Sequence, residues 1–191
     1  MWALTLLEHP WPPLQWGSVI GASLAAAHID LRSSRIPNVL TGPLLMAGLV
    51  CSAVVGGWSG LADSLLATLL LGLPYVLLYV FAGGGAGDAK LMGGIGAWLG
   101  LVQGTVVLFA VALTGVVCAL LFARAQGELA LASRRVRTVF HLLGASVLTR
   151  SDPRGAFATL PSPSESRKMP YGVAIFAGVS YSALGMLACA S

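Results

Sequence analysis

Six apolar runs, at roughly 14–31, 39–57, 61–82, 89–101, 104–123 and 170–190, fill most of this 191-residue chain, parted by polar or Gly/Pro breaks. A run of about 20 apolar residues is the length of helix that crosses a bilayer's hydrocarbon core. In that solvent a segment must satisfy its own backbone hydrogen bonds, which favours helices. Composition agrees: 57% of residues are hydrophobic and 9% charged, against about 25% charged in a soluble domain. So few charges cannot coat a water-soluble surface, which argues against soluble enzymes and nucleic-acid-binding modules. The expected fold class is all-α, a polytopic membrane helix bundle of about six transmembrane helices forming one domain over 1–191. The opening MWALTLLEHPWPP has neither a basic n-region nor a small-residue cleavage site, so a removed signal peptide is not expected. The fourth run, AKLMGGIGAWLGL, is short, and its Gly93, Gly94, Gly96 and Gly100 would let it pack tightly against neighbours.

The placement of the charges tests this count. Arg32, Arg35, Lys90, Arg124, Arg134, Arg135, Arg137, Arg150, Arg154, Arg167 and Lys168 all fall in the connections after the first, third and fifth runs. Cytoplasmic loops carry the excess of Lys and Arg. Those connections are therefore expected on the cytoplasmic side of the inner membrane, with both termini extracytoplasmic. The net charge of +4 then reads as a topology signal, with membrane lipids as partners and no nucleic acid. In the long connection at 124–169, Leu129, Val136, Phe140, Leu143 and Val147 recur at helical spacing opposite Arg134, Arg135 and Arg137. That pattern suits an interfacial helix on anionic lipid. The Pro/Ser-rich remainder reads as a loop.

Seven acidic residues remain to be sorted: Glu8, Asp30, Asp63, Asp88, Glu128, Asp152 and Glu165. Asp30 ends the first run and Asp88 precedes the fourth, so both fall at the cytoplasmic side. Asp63 falls at the opposite side, and the other four lie in polar segments. Two carboxylates sharing a site cannot both ionise cheaply, so one holds the proton that the other lacks. Such a pair suits peptide hydrolysis, one member drawing a proton from water and the other polarising the carbonyl and feeding the leaving amine. Each has a plainer alternative: Asp30 could pair with Arg32 or Arg35, and Asp88 could cap the fourth helix. His28, two residues before Asp30, falls on a different helix face.

The glycines Gly83, Gly84, Gly85 and Gly87 before Asp88 resemble a phosphate loop only superficially, because no GKS/T follows and no strand precedes. Residues without Cβ would instead allow backbone or an extended substrate close to the carboxylate. Lys90 could act on a nearby carboxylate or anchor the helix at the headgroups. Pro37 enforces a turn and Asn38 is suited to cap the second helix. Cys51, Cys118 and Cys189 are isolated, without CxxC or His pairing. No metal site or disulfide framework follows, and no cofactor is expected.

Gly85-Ala86-Gly87-Asp88-Ala89-Lys90-Leu91 resembles the GxGDxKL signature of the type IV prepilin peptidases, membrane aspartic proteases of the GxGD class. Asp30 followed by Arg35-Ile36-Pro37-Asn38 resembles their second motif. Gly94-Ile95-Gly96-Ala97-Trp98-Leu99-Gly100 and Met169-Pro170-Tyr171-Gly172 also fit, so the resemblance covers roughly 18–182. It implies Asp30 and Asp88 as the catalytic pair. Gly85, Gly87, Lys90, Arg35, Pro37 and Asn38 would shape the site or bind substrate. The implied substrates are prepilin or pseudopilin precursors, cut after a short basic cytoplasmic leader. Larger relatives carry a cysteine-containing N-terminal segment and methylate the new N-terminus. This chain resembles the short peptidase-only branch of Flp/Tad pilus systems, and N-methyltransferase activity is not expected. Without the motifs, a small proton-coupled transporter using Asp30 and Asp88 as a relay would remain the alternative.

The basic connection generates a prediction of its own. Replacing Arg134, Arg135 and Arg137 together with glutamine should raise the loop's protease accessibility in anionic vesicles, since each arginine contributes about 1 kcal/mol of attraction near the surface. Cleavage by Asp30 and Asp88 should fall only modestly. Near-total loss of cleavage at unchanged accessibility would place these arginines on the substrate.

Overall fold

The structure, a computed structural model, describes residues 12–33, 36–82, 85–125 and 171–190. Arg35 and the proposed interfacial helix lie outside the described residues. Apart from Ile36, Pro37 and Gly85, every described residue is helical. There are four helices among them: α1 (Pro12–Ser33), α2 (Asn38–Ala82), α3 (Ala86–Ala125) and α4 (Tyr171–Ala190). Asn38–Val80 and Ala86–Phe122 are long and apolar enough to cross a membrane, and Tyr171–Met186 is a shorter apolar helix.

The two long helices are each folded in half. Gly57 has φ 60° and ψ −145°, and Gly100 has φ 69° and ψ −175°, backbone conformations essentially reserved for glycine. Residues eight apart in a straight helix are separated by about 12 Å. Across Gly57, however, a Cβ added at Gly60 would sit 2.5 Å from the Ser52 carbonyl oxygen. Across Gly100, a Cβ at Gly104 would lie 4.0 Å from the Gly96 Cα. The turns expected at 57–60 and 101–104 thus shrink to single glycines. The six apolar runs correspond to α1, two arms of α2, two arms of α3, and α4.

The glycine-rich first arm of α3 is the centre of the bundle, and Leu91–Leu99 is buried without interruption. Leu91, Met92 and Ile95 have no exposed surface, and Leu71 of α2, Val107 of the second arm of α3 and Ile175 of α4 join them in the core. Gly96 lies directly against backbone: a Cβ there would come within 2.6 Å of the Ala67 carbonyl oxygen. Gly100 both makes the reversal and permits a close approach, since a Cβ there would collide with Asp63 Oδ2.

A helix end leaves carbonyls and N–H groups unpaired, and the Gly100 reversal creates two such ends inside the bundle. The Ala97 carbonyl accepts from the hydroxyls of Ser52, at 3.1 Å, and Ser64. The Trp98 indole N–H donates to the Leu44 carbonyl at 2.8 Å. On the far side of the turn, the Leu101 N–H donates to Asp63 Oδ2 at 3.2 Å. Asp63 is thus engaged in capping the second arm of α3. The outer faces are apolar, with Val54, Trp58, Phe109, Leu113 and Tyr181 largely exposed. A surface of that kind is rare on a soluble monomer.

Substituting Gly96 with valine should be strongly destabilising, because the obstacle is backbone rather than a side-chain tip. Overpacking typically costs about 1–3 kcal/mol. Thermal unfolding in detergent should show a clear drop for Gly96→Val and almost none for Gly21→Ala, where a Cβ meets nothing within 4 Å. Equal unfolding temperatures for the two variants would contradict this packing.

Candidate active site

The described ends of four segments converge on one end of the bundle: the last turn of α1, the Ile36–Asn38 entry to α2, and the first turns of α3 and α4. Asp30, in the last turn of α1, is 8% exposed. Its Oδ2 accepts the Gly172 N–H at 2.8 Å. That N–H belongs to the first turn of α4, where backbone donors have no helical acceptor. The bond therefore satisfies a helix end and fixes the carboxylate's orientation. A Cβ on Gly172 would stand 3.1 Å from both the Cβ and Oδ2 of Asp30, so the close approach favours glycine there. His28 is exposed, on a different face from Asp30.

Asp88 is half-buried in the first turn of α3. Its N–H donates to the Gly85 carbonyl at 3.2 Å, and its side chain curls back over Gly85. A Cβ at Gly85 would come within 2.6 Å of Asp88 Oδ2. Asp88 is therefore inside the helix rather than at the capping position suggested by the sequence. The Asp30 and Asp88 carboxylates lie within electrostatic range of each other.

Between them the two sequence motifs form a seam. A Cβ on Gly87 would meet the Ile36 Cβ at 2.8 Å and the Ile36 carbonyl oxygen at 3.2 Å, so this glycine lets the segment before α2 lie directly on α3. Lys90 Nζ donates to Asn38 Oδ1 at 2.8 Å, tying the same two elements on the exposed side. The role foreseen for Asn38 as a cap is taken by its neighbour: the Leu40 and Thr41 N–H groups both point to the Pro37 carbonyl, at 3.1 and 3.5 Å. Lys90, read from sequence as acting on a carboxylate or anchoring at the headgroups, has the Asn38 amide as a hydrogen-bond partner.

Tyr75 escaped the sequence reading. It is 6% exposed and meets Tyr171 edge-on, with ring centroids 5.9 Å apart at 66°. The two hydroxyls interact, and both lie within electrostatic range of Asp88. The signal was a lone tyrosine, after Pro74, in the aliphatic run LLLGLPYVLL, since a buried phenol usually needs a polar neighbour. A cavity of about 270 Å³ lies at the opposite end, lined in part by Gln15, Ser52, Asp63 and Gln103, so it is a separate feature from the carboxylate pair. Among the described residues, no group of three or more His, Cys, Asp or Glu side chains is arranged to hold a metal ion.

The seam yields a measurable coupling. A hydrogen bond of this kind contributes about 0.5–1.5 kcal/mol, so Lys90→Met and Asn38→Ala should each lower the unfolding temperature slightly. The double variant should lose less than the sum of the two. Strict additivity would mean that the bond contributes nothing.

Comparison with known proteins places this geometry in context. The profile of the Type IV leader peptidase family matches residues 18–120, which include both Asp30 and Asp88. The prepilin leader peptidase/N-methyltransferase of Neisseria gonorrhoeae is 29% identical over 137 residues, 67% of this chain and 48% of that protein. The proteins of the same name from Aeromonas hydrophila and Dickeya chrysanthemi are 33% and 34% identical, over 52% and 54% of this chain and 38% and 39% of their own lengths. The chain thus spans less than half the length of these relatives. No solved structure matches. With the family profile covering more than half of the sequence, this chain belongs to the Type IV leader peptidase family.

Proposed function

We propose that this chain is a membrane-embedded aspartic endopeptidase that removes the short leader from prepilin or pseudopilin precursors. The observation that carries the reading is the placement of Asp30 and Asp88, from two separate motifs, within electrostatic range of each other at one end of the bundle. In the proposed reaction the ionised member takes a proton from water. The resulting hydroxide oxygen attacks the scissile carbonyl carbon, which the protonated member polarises. The tetrahedral intermediate then collapses, the C–N bond breaks, and the second carboxyl delivers its proton to the leaving amine. The products are a leader carboxylate and a precursor with a new N-terminal amine.

The remaining parts of the reading follow the same logic. The six helical arms cross the inner membrane as a single peptidase domain of the GxGD type, with the carboxylate end cytoplasmic and both termini extracytoplasmic. Arg32, Lys90 and Arg124, the Lys and Arg among the described residues, support this orientation by their place at the ends of α1 and α3. Gly85 and Gly87 keep side chains away from Asp88 and from the seam. Pro37, Asn38 and Lys90 shape the wall along which an extended leader would lie, and the motif resemblance adds Arg35 to the residues that would bind substrate. The name prepilin comes from the relatives, and pseudopilins and the Flp/Tad type of system come from the motif resemblance. A proton relay in a transporter is not favoured, because the family is one of leader peptidases and the carboxylates sit at a helix-end cluster rather than at midspan.

Co-expression with candidate prepilins, read as a mobility shift, tests the proposal. Asp30→Asn and Asp88→Asn should each abolish cleavage. Asp63→Asn should retain most of it, since Asp63 caps a helix at the other end. Cleavage by either dyad variant would remove the two-carboxylate mechanism.

A further inference from the structure

The protonated carboxyl offers one donor to the scissile carbonyl oxygen, but it must give that proton to the leaving amine, so the pair leaves a second, fixed donor to the developing negative charge unassigned. Such charge is normally met by fixed hydrogen-bond donors, often the largest single contribution to rate. Tyr171 lies at the carboxylate end of the bundle. It opens α4 beside Gly172, whose N–H holds Asp30, and its hydroxyl lies within electrostatic range of Asp88. Neither Tyr171 nor Tyr75 hydrogen-bonds Asp88, so that carboxylate does not hold either hydroxyl. Tyr171 is partly exposed whereas Tyr75 is buried. Two hydroxyls that pair use only one proton between them, which leaves the other O–H free.

We infer that Tyr171 is a further catalytic residue, its hydroxyl donating a hydrogen bond to the oxyanion formed at the scissile peptide carbonyl, with Tyr75 as the positioning residue that holds it. The inference rests on the endopeptidase reading. The donation is a hydrogen bond only, and no proton leaves Tyr171 in the step. The tyrosine's placement is constrained from three sides. The Tyr75 ring packs against its edge, Gly115 admits its hydroxyl where a Cβ would collide, and Gly172 ties its backbone neighbour to Asp30.

The test measures cleavage of a purified prepilin by the full-length enzyme in detergent, with kcat and KM determined separately. Tyr171→Phe keeps the ring and removes the donor, so kcat should fall by about 10²-fold, as for loss of one oxyanion donor. KM should change little, because the interaction forms only in the transition state. Tyr75→Phe should give a smaller fall with the same split. Replacing Tyr171 with 3,5-difluorotyrosine keeps the fold and makes the phenol a stronger acid, and kcat should then change together with the pH–rate profile. A wild-type kcat in Tyr171→Phe overturns the inference while leaving the dyad reading in place. So does a pH–rate profile unmoved by the fluorinated residue, which also decides the matter if Tyr171→Phe fails to fold. Absence of cleavage by the unaltered enzyme, under conditions where a known leader peptidase cuts the same prepilin, overturns both.

Discussion

Everything in this bundle is arranged around the burial of one short, nearly featureless helical arm, Leu91–Leu99. Large side chains along it would keep the neighbours at ordinary helix–helix distances of 8–10 Å. Small residues allow backbones to come closer, and in a lipid solvent, where apolar burial offers little advantage, close packing and interhelical hydrogen bonds drive association. The Ala97 carbonyl and the Trp98 indole supply such bonds to two arms of α2. The arm's position also sets that of Asp88, one turn before its start. Rigidity in the arm therefore becomes accuracy in the carboxylate.

The two motif segments are each incomplete alone. The segment at Ile36–Asn38 has no helix of its own to rest on, and it lies on Gly87. The first turn of α3 has an exposed lysine, whose ammonium finds the Asn38 amide. Asp30 would be a buried carboxylate at a helix end, and its acceptor is matched by a donor from α4. Burying such a group without a partner is costly. Each element thus supplies what another lacks, and the result brings carboxylates from distant parts of the sequence within range of each other.

Much of this was legible in the sequence because bilayer-scale apolar runs and charge placement act at low resolution. The boundaries of the six runs fall close to the helical arms, from Pro12–Ser33 for the first to Tyr171–Ala190 for the last. Asp30 and Asp88 stood out as carboxylates at the ends of apolar runs. Less legible was anything decided by backbone geometry at a single residue. Gly57 and Gly100 looked like ordinary members of glycine-rich stretches, and only their positive φ values identify them as reversals. Asn38 fitted a cap by residue type, but the Pro37 carbonyl already held those N–H groups. Tyr75 was hidden because a tyrosine in an apolar run usually serves packing, and its partner lies about a hundred residues further on.

The bond between Asp30 and Gly172 joins residues 142 positions apart. A ribosome producing this chain makes α1 early and α4 last among the described helices. Throughout that interval Asp30 has no Gly172 to hold it, and Tyr171 has not yet met Tyr75. A truncated or half-inserted polypeptide would thus possess both carboxylates and still lack the contacts that orient them. The contacts that orient the carboxylates thus form only once the final helix is seated, and on the proposed endopeptidase reading activity would wait on that step.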